Sequence, residues 1–216
     1  MYFASKYIIQ EYVMCAIMGI LENNVNIEAL KRMAKVLRHR GPDDTGEYMT
    51  RLFDAEDENV AVAHNRLSIR DLSSNGHQPM INDQGNVIIT FNGEIYNAED
   101  YRAELEKKGY TFKGTSDTEI MLNLYVEYGI DGLLERIDGM YAICIIDKKD
   151  DCIYLIRDRI GEKPLYFYKN ANTLIWASEY KAFYEHPSFK VELDEDALSE
   201  YIMFRYVSGE IGRAHV

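Results

Sequence analysis

A cysteine that directly follows an internal methionine is the residue of this sequence best suited to chemistry. Cys15 follows Met14, so initiation at Met14 and removal of that methionine would leave a free α-amino group beside the thiol. Because an α-amino group has a pKa of about 7.7–8.0 and a thiol a pKa of about 8.5, the amine can accept the thiol proton near neutral pH. Cys15 would then supply both a nucleophile and its base. The alternative is that Cys15 is a small buried apolar residue in a strand.

Three other positions allow either chemistry or a local structural role. Asn92-Gly93 follows the apolar run Val87–Phe91, and an Asn-Gly pair in that context predicts a β-hairpin turn. Asp117 stands where it could cap a helix by accepting free backbone N–H groups. Arg66 could form a surface ion pair with one of the many acidic residues. From residue type alone, these alternatives stay open.

The remaining histidines and cysteines predict no metal site. His39, His64 and His77 match no common ligand spacing, so structural roles are predicted for them. Cys144 and Cys152 lie in strand-like runs and are predicted to be unreactive core thiols. Three cysteines without zinc-like spacing favour neither a disulfide framework nor a structural metal, and they fit a reducing cytoplasm.

The hydrophobic periodicity predicts both helices and strands, and therefore an α+β class. Apolar residues at helical spacing predict helices over 27–37, which Gly41-Pro42 would end, and over 98–108, 117–128 and 196–204. Short β-rich runs predict strands at 60–63, 87–91, 141–146, 153–157, 165–168 and 174–177. Since each amphipathic helix must bury its apolar stripe, we expect two layers of sheet covered by helices.

Length and charge restrict the partners that the chain can take. Its 216 residues allow one full domain with some excess. A net charge of −12 repels phosphate backbones and anionic lipids, which argues against nucleic-acid and membrane partners. No apolar run approaches the roughly 18–20 residues of a membrane-spanning helix. The sequence therefore predicts a globular cytoplasmic protein.

Seven motifs follow one another along the chain and carry a family resemblance. They are Cys15-Ala16-Ile17, His39-Arg40-Gly41-Pro42-Asp43-Asp44, Arg66-Leu67-Ser68-Ile69, Gly76-His77-Gln78-Pro79-Met80, Asn92-Gly93-Glu94-Ile95-Tyr96-Asn97, Ser116-Asp117-Thr118-Glu119 and Arg157-Asp158-Arg159. The series resembles the glutamine-hydrolysing domain of glutamine-dependent asparagine synthetases, a class II amidotransferase domain with an N-terminal nucleophile. The resemblance runs from Cys15 to about His186. Lys163-Pro164-Leu165-Tyr166 and Ala177-Ser178-Glu179 resemble this family rather than the phosphoribosyl or sugar-phosphate amidotransferases.

The resemblance implies a fold and a reaction. The fold is a four-layer αββα sandwich of the N-terminal-nucleophile hydrolase type, in agreement with the two sheets predicted above. The reaction is attack of Cys15 on the side-chain amide of L-glutamine, which gives a γ-glutamyl thioester and ammonia. Its tetrahedral intermediate carries a negative oxygen that needs preorganised donors. The resemblance assigns that role to Asn92 and Gly93.

Recognition of glutamine needs two opposite charges in the site, because the substrate carries both an α-carboxylate and an α-ammonium. The resemblance assigns the carboxylate to Arg66, whose planar guanidinium can bind it bidentately. It assigns the ammonium to Asp117, with the Glu94 region assisting. The implied substrate-binding stretch comprises Arg66, Leu67, Ser68, Ile69 and Arg70.

Two features depart from the family pattern. Ala16 stands where the family usually has glycine, and its methyl group is tolerable at negative φ but obstructive at positive φ. No glycine-rich pyrophosphate motif of the Ser-Gly-Gly-x-Asp-Ser kind is present. This chain is therefore expected to need no cofactor, with ATP and Mg²⁺ belonging to a missing C-terminal synthetase domain.

The expected organisation has four parts. Residues 1–14 form a leader or a mis-assigned start, 15–189 the amidotransferase domain, 190–209 the start of a truncated synthetase domain, and 210–216 a translation of sequencing-adapter DNA. Two alternatives stay open for function: an inactive amidotransferase-fold interaction module, and an amidotransferase with a different ammonia acceptor. A homo-oligomer is a further open alternative for assembly.

Overall fold

The computed structural model describes residues 14–207, which form nine strands and four α-helices. The strands are β1 Ala16–Glu22, β2 Asp44–Thr50, β3 Val60–Arg66, β4 Met80–Ile81, β5 Val87–Ile95, β6 Gly139–Asp147, β7 Cys152–Arg157, β8 Tyr166–Lys169 and β9 Thr173–Ala177. The helices are α1 Ile27–Val36, α2 Ala98–Lys107, α3 Asp117–Arg136 and α4 Glu195–Phe204. Two 3₁₀ turns lie at Ser74–Gly76 and Tyr180–Glu185.

The strands form two antiparallel sheets. One has the order β2-β3-β1-β9-β8, and the other has the order β4-β5-β6-β7. In the first sheet, β1 is central and pairs with both β3 and β9. In the second sheet, β5 and β6 pair along their whole lengths. Strands far apart in the chain are therefore neighbours in both sheets.

Alternating side chains in β1 build two different layers, because successive strand residues point to opposite faces. Ile17 belongs to an apolar cluster between the sheets, together with Val62 of β3 and Ile88 of β5. Met18 belongs instead to a cluster with Leu30 of α1 on the outer face. Helix α1 thus covers the first sheet.

The second sheet repeats this alternation. Cys144 of β6 joins the cluster between the sheets. Its neighbours Ile143 and Ile145 join a cluster with Ile120 and Leu124 of α3. Helix, sheet, sheet and helix follow one another, so the predicted four-layer αββα arrangement is confirmed.

The structure corrects the hairpin predicted at Asn92-Gly93. Strand β5 continues through both residues to Ile95, and they pair with Ala142 and Tyr141 of β6. The local Asn-Gly preference is overridden because a full antiparallel partner holds this segment extended.

Other boundaries also differ from the sequence prediction. Helix α1 ends at Val36, before Gly41, and α3 extends to Arg136 across a break at Gly129, whose φ is 69°. The sequence does not predict β2 and β4, because β2 is largely polar and β4 has two residues. The six predicted strands and the other predicted helices are present, with ends shifted by a few residues.

After Glu185, the chain packs Phe189 against the core and then continues as a helix without buried residues. Phe189 packs its ring against Tyr168, Phe183 and Tyr184, with centroid distances of 5.0, 5.5 and 5.2 Å. Helix α4 follows and buries none of its residues. The domain boundary predicted after residue 189 stays a prediction, and the predictions for 1–13 and 208–216 lie outside the described residues. Between residues 14 and 207, no helix has the length and apolar character needed to cross a membrane.

Candidate active site

A cleft opens where β1 begins, β3 and β5 end and α3 begins. The strand register explains why β1 begins next to the end of β3. Ala16 pairs with Asn65, which places Cys15 beside that end. The second sheet contributes the end of β5, and α3 begins at Asp117. The cleft is lined by all the predicted site residues except Ser68, namely Cys15, Arg66, Leu67, Ile69, Arg70, Asn92, Gly93, Glu94 and Asp117.

The Cys15 thiol is held by the backbone of Leu67. The Leu67 N–H lies 3.3 Å from Sγ, and Sγ lies 3.6 Å from the Leu67 carbonyl oxygen. Burial raises the pKa of the thiol, while the Leu67 N–H and the charges of Arg66 and Arg40 lower it only in part. A nucleophilic reaction of this thiol therefore needs a base.

His39, His64 and His77, the three histidines considered in the sequence, do not supply that base. His39 lies 3.1 Å from a Glu179 oxygen, and His77 lies 2.6 Å from an Asp44 oxygen. His64 donates from Nε2 to the Phe91 carbonyl oxygen at 3.0 Å. Among residues 14–207, the hydrogen bonds of Cys15 Sγ are made with the Leu67 backbone. A Cys–His arrangement is absent from this part of the chain, whose side chains also form no cluster of three or more His, Cys, Asp or Glu placed for a metal ion.

His64 joins the two sheets beneath the cleft, and it makes stability depend on pH. Burial lowers its pKa from 6.5 to about 3, so folding excludes a proton that the unfolded chain binds below about pH 6.5. The contribution of neutral His64 to the free energy of unfolding is complete above pH 6.5, and it is lost as the pH falls toward 3, by up to about 1.4 kcal/mol per pH unit.

We expect His64→Gln to flatten the decline of unfolding free energy between pH 7 and 5, as measured by urea titration. The exposed His39→Gln is the matched control, and equal slopes in wild type and His64→Gln would contradict the assignment.

Asn92 presents an unsatisfied donor to the cleft. Its Nδ2 is buried and has no hydrogen-bond partner among the described residues. Five side-chain atoms in this part of the chain share that condition, but only Asn92 is a lining residue of the cleft. Because buried donors are rarely left unpaired in native proteins, the arrangement suits a ligand acceptor.

Gly93 follows Asn92 at a point where no side chain fits. A Cβ at this position would overlap the carbonyl oxygen of Met140 on the neighbouring strand. The close approach of β5 and β6 therefore requires glycine here, and its backbone reaches the cleft without a side chain in front of it.

Arg66 is buried and forms no surface ion pair with any described residue, so that alternative from the sequence is wrong. Its Nη1 donates to the Ser73 carbonyl oxygen at 2.9 Å, and its Nη2 donates to the Asp71 carbonyl oxygen. A Cβ on Gly76 would overlap the guanidinium. The loop from 71 to 76 thus fixes the position of this cation at the cleft wall.

Asp117 is both a helix-terminal residue and a buried charge in the cleft. Its Oδ2 accepts from the Ile95 N–H at 3.1 Å, and its Oδ1 accepts from the Thr118 N–H at 3.0 Å. Ser116, the residue before the helix, accepts from Thr118 as well and is the N-cap. Burial raises the pKa of Asp117, and the Ile95 N–H and the Arg70 charge oppose that rise.

Arg70 forms ion pairs with the acids that the family resemblance assigned to the substrate ammonium. Its Nη1 lies 3.5 Å from Asp117 Oδ2, and its Nε lies 3.8 Å from Glu94 Oε1. The same Nη1 donates to the Ile95 carbonyl oxygen at 3.3 Å. The sequence placed Arg70 in the binding stretch but did not predict this contact.

Ser68 lies outside the cleft, and Ala16 does not obstruct it. The Ser68 N–H donates to Asp43 Oδ2 at 2.7 Å, and Ser68 does not line the cleft. Ala16 is not among the described residues with positive φ, and its methyl group lies in the cluster under α1. The obstruction considered for Ala16 therefore does not arise.

Sequence reasoning missed several contacts around the site. Gln78 accepts from the Phe91 N–H at 2.6 Å and donates to Thr118 Oγ1 at 3.2 Å, tying β5 to the start of α3. Arg40 Nε donates to the Cys15 carbonyl oxygen at 3.2 Å. Lys163 is buried, and its Nζ lies 2.9 Å from Met14 Sδ. All three belong to motifs noted in the sequence, but motif membership did not reveal these contacts.

Comparison with known proteins gives one family and one fold. A family model described as a glutamine amidotransferase domain matches residues 14–214. Asparagine synthetase (glutamine-hydrolysing) 2 of Bacillus subtilis is 37% identical over 94% of this chain and 26% of its own length. A putative asparagine synthetase (glutamine-hydrolysing) 2 of Methanocaldococcus jannaschii is 35% identical over 90% of this chain and 40% of its own length. The chain thus spans about a quarter to two fifths of these relatives.

A solved structure supports the fold alone. Glutamine phosphoribosylpyrophosphate amidotransferase from B. subtilis superimposes with a TM-score of 0.64 at 20% identity, over 78% of this chain and 43% of that one. The N-terminal-nucleophile hydrolase type of fold, predicted from the motif series, is confirmed by this similarity.

Proposed function

This chain belongs to the glutamine amidotransferase domain family, and we propose that it hydrolyses the side-chain amide of glutamine at Cys15. The observation that supports this most directly is the buried Asn92 Nδ2, which has no hydrogen-bond partner within residues 14–207 and lines the cleft that also contains the Cys15 thiol. Such a donor serves a negative oxygen that develops during reaction.

The proposed reaction begins at a Cys15 that is the first residue of the chain. Its α-amine accepts the Sγ proton, and the thiolate attacks the amide carbon. The negative oxygen of the tetrahedral intermediate accepts hydrogen bonds from Asn92 Nδ2 and the Gly93 N–H. The protonated amine gives its proton to the leaving nitrogen, so ammonia and a γ-glutamyl thioester result. Water, activated by the amine, then hydrolyses the thioester to glutamate and restores the thiol.

Two charges in the cleft are proposed to orient the substrate. Arg66 makes two hydrogen bonds to the loop carbonyls, and a guanidinium has five N–H donors, so it retains donors for the α-carboxylate. Asp117 and Glu94 are proposed to bind the α-ammonium. Simple amides lack both charges and could form neither of these contacts, so they should bind more weakly than glutamine.

Asn92→Ala tests the reaction step of this proposal. We expect kcat for ammonia release from glutamine to fall by about 10²–10³-fold, since loss of one oxyanion donor costs about 3–4 kcal/mol. KM should change little, because the donor acts on charge that is absent from the ground state. Coupled ammonia and glutamate assays on protein that begins at Cys15 measure both constants.

A second variant separates this role from a structural one. Asn82→Ala removes an asparagine whose side chain bonds within its own turn, to Asn86 and the Val87 N–H. That variant should leave kcat within about twofold of wild type. Unchanged turnover in Asn92→Ala would show that Asn92 only shapes the strand.

The use of the ammonia is proposed from the relatives. Because the curated relatives are named asparagine synthetases, we propose that ammonia released here amidates aspartate in a separate synthetase domain that depends on ATP and Mg²⁺. An acceptor other than aspartate would be detected by supplying ammonia to that domain with candidate carboxylates. Glutamine binding without turnover would favour the interaction-module alternative instead.

A further inference from the structure

Arg70 lies beside Asp117 and Glu94, the two acids that are proposed to bind the α-ammonium of glutamine. Its guanidinium bridges the two carboxylates at 3.5 and 3.8 Å. Both distances exceed the roughly 2.7–2.9 Å of a close charge-assisted hydrogen bond. The cation is thus near enough to balance two acids but is not tightly bound to either.

The surroundings of Arg70 allow it to leave. Its side chain is 37% exposed, whereas the Asp117 side chain is 8% exposed. The preceding Ile69 is 73% exposed. The acid is therefore fixed in the wall by the Ile95 and Thr118 N–H groups, while the cation is at the solvent-exposed mouth.

We propose that Arg70 occupies the ammonium subsite of the free protein and is displaced by the α-ammonium of glutamine. This inference rests on the proposed function and makes Arg70 a specificity-determining residue. A ligand with an α-ammonium replaces the lost ion pairs by its own. A ligand of the same length without that group cannot do so, and it binds only with Arg70 in place.

Removing Arg70 should therefore strengthen glutamine binding selectively. In Arg70→Met, the substrate no longer displaces an internal cation, and a partly exposed ion pair contributes about two- to fivefold in affinity. We expect KM for glutamine to fall by that factor. Glutaramate, which is glutamine without its α-ammonium, is the second probe, and its KM should not fall because Asp117 then loses its Arg70 partner without gaining an ammonium.

Two further variants complete the experiment. Arg70→Lys keeps the charge, so KM for glutamine should fall less in this variant than in Arg70→Met. Arg32 of α1 pairs with Glu185, with Nε 3.6 Å from Oε2. Arg32→Met therefore controls for the change in net charge. A rise in KM for glutamine in Arg70→Met would overturn the proposal by showing that Arg70 binds the substrate. An equal fall for both ligands would overturn it as well, since it would indicate only a wider cleft.

Failure of the proposed function is distinguishable from failure of this inference. If wild-type protein releases no ammonia, the function fails, and calorimetric glutamine affinity can still be compared between Cys15→Ala and the double variant that also carries Arg70→Met. An unchanged affinity in that comparison overturns the inference, and an absence of glutamine binding in both proteins overturns both proposals.

Discussion

Replacement of Cys15 by alanine is expected to abolish ammonia release from glutamine while the fold persists. Removal of a covalent nucleophile costs on the order of a millionfold in amide-cleaving enzymes that use one. The substitution should be tolerated because Sγ contacts the Leu67 backbone at the edge of the cleft and lies in none of the apolar clusters. Coupled assay of ammonia and glutamate measures the loss.

Two controls make this result specific. Cys152→Ala removes a half-buried cysteine at the start of β7, outside the cleft, and should keep wild-type turnover. Thermal unfolding and glutamine affinity of Cys15→Ala should stay close to the wild-type values. Ammonia release that persists in Cys15→Ala would refute the assignment of the nucleophile.

A chain that keeps residues 1–14 is expected to be inactive, whereas a chain that begins at Cys15 is expected to be active. The amide nitrogen of a peptide-bonded Cys15 cannot accept a proton near pH 7, and burial raises the pKa of the thiol that must lose one. No other base is hydrogen-bonded to Sγ within residues 14–207. The difference should therefore be as large as that caused by loss of the nucleophile.

Covalent labelling tests this requirement without relying on turnover. A glutamine-like diazoketone should alkylate Sγ with loss of N₂ in protein that begins at Cys15, and not in protein that retains Met1. Mass spectrometry of the intact protein gives the N-terminus, and peptide mapping gives the labelled residue. Full activity in protein shown to retain Met1 would refute the terminal-amine mechanism.

Much of the fold was predictable because its signals are short-range. The β-rich apolar runs of β5 and β6 and the helical spacing in α1 each indicate which segments must be buried. Two sheets between helices follow, since every apolar face must be covered. The ends of elements were less predictable: α1 stops at Val36 before its expected Gly41-Pro42 signal.

The Asn92-Gly93 pair shows the limit of local reasoning. Its strongest local preference is a hairpin turn, yet the nine-residue pairing of β5 with β6 keeps it extended and brings its side chain and backbone to the cleft. Whether this pair forms a turn or continues the strand depends on its partner β6, which lies far along the chain. Only the assembled sheet decides between them.

The sequence by itself determined the family resemblance, the layer pattern and Cys15 as the residue to test, because these depend on residue types, motif order and periodicity. The tertiary structure alone decided that Arg66 is held by loop carbonyls and that Arg70 lies on Asp117 and Glu94. The physical reason is that charge pairing depends on distance in space, and the cleft is assembled from strand ends of two sheets and the start of one helix.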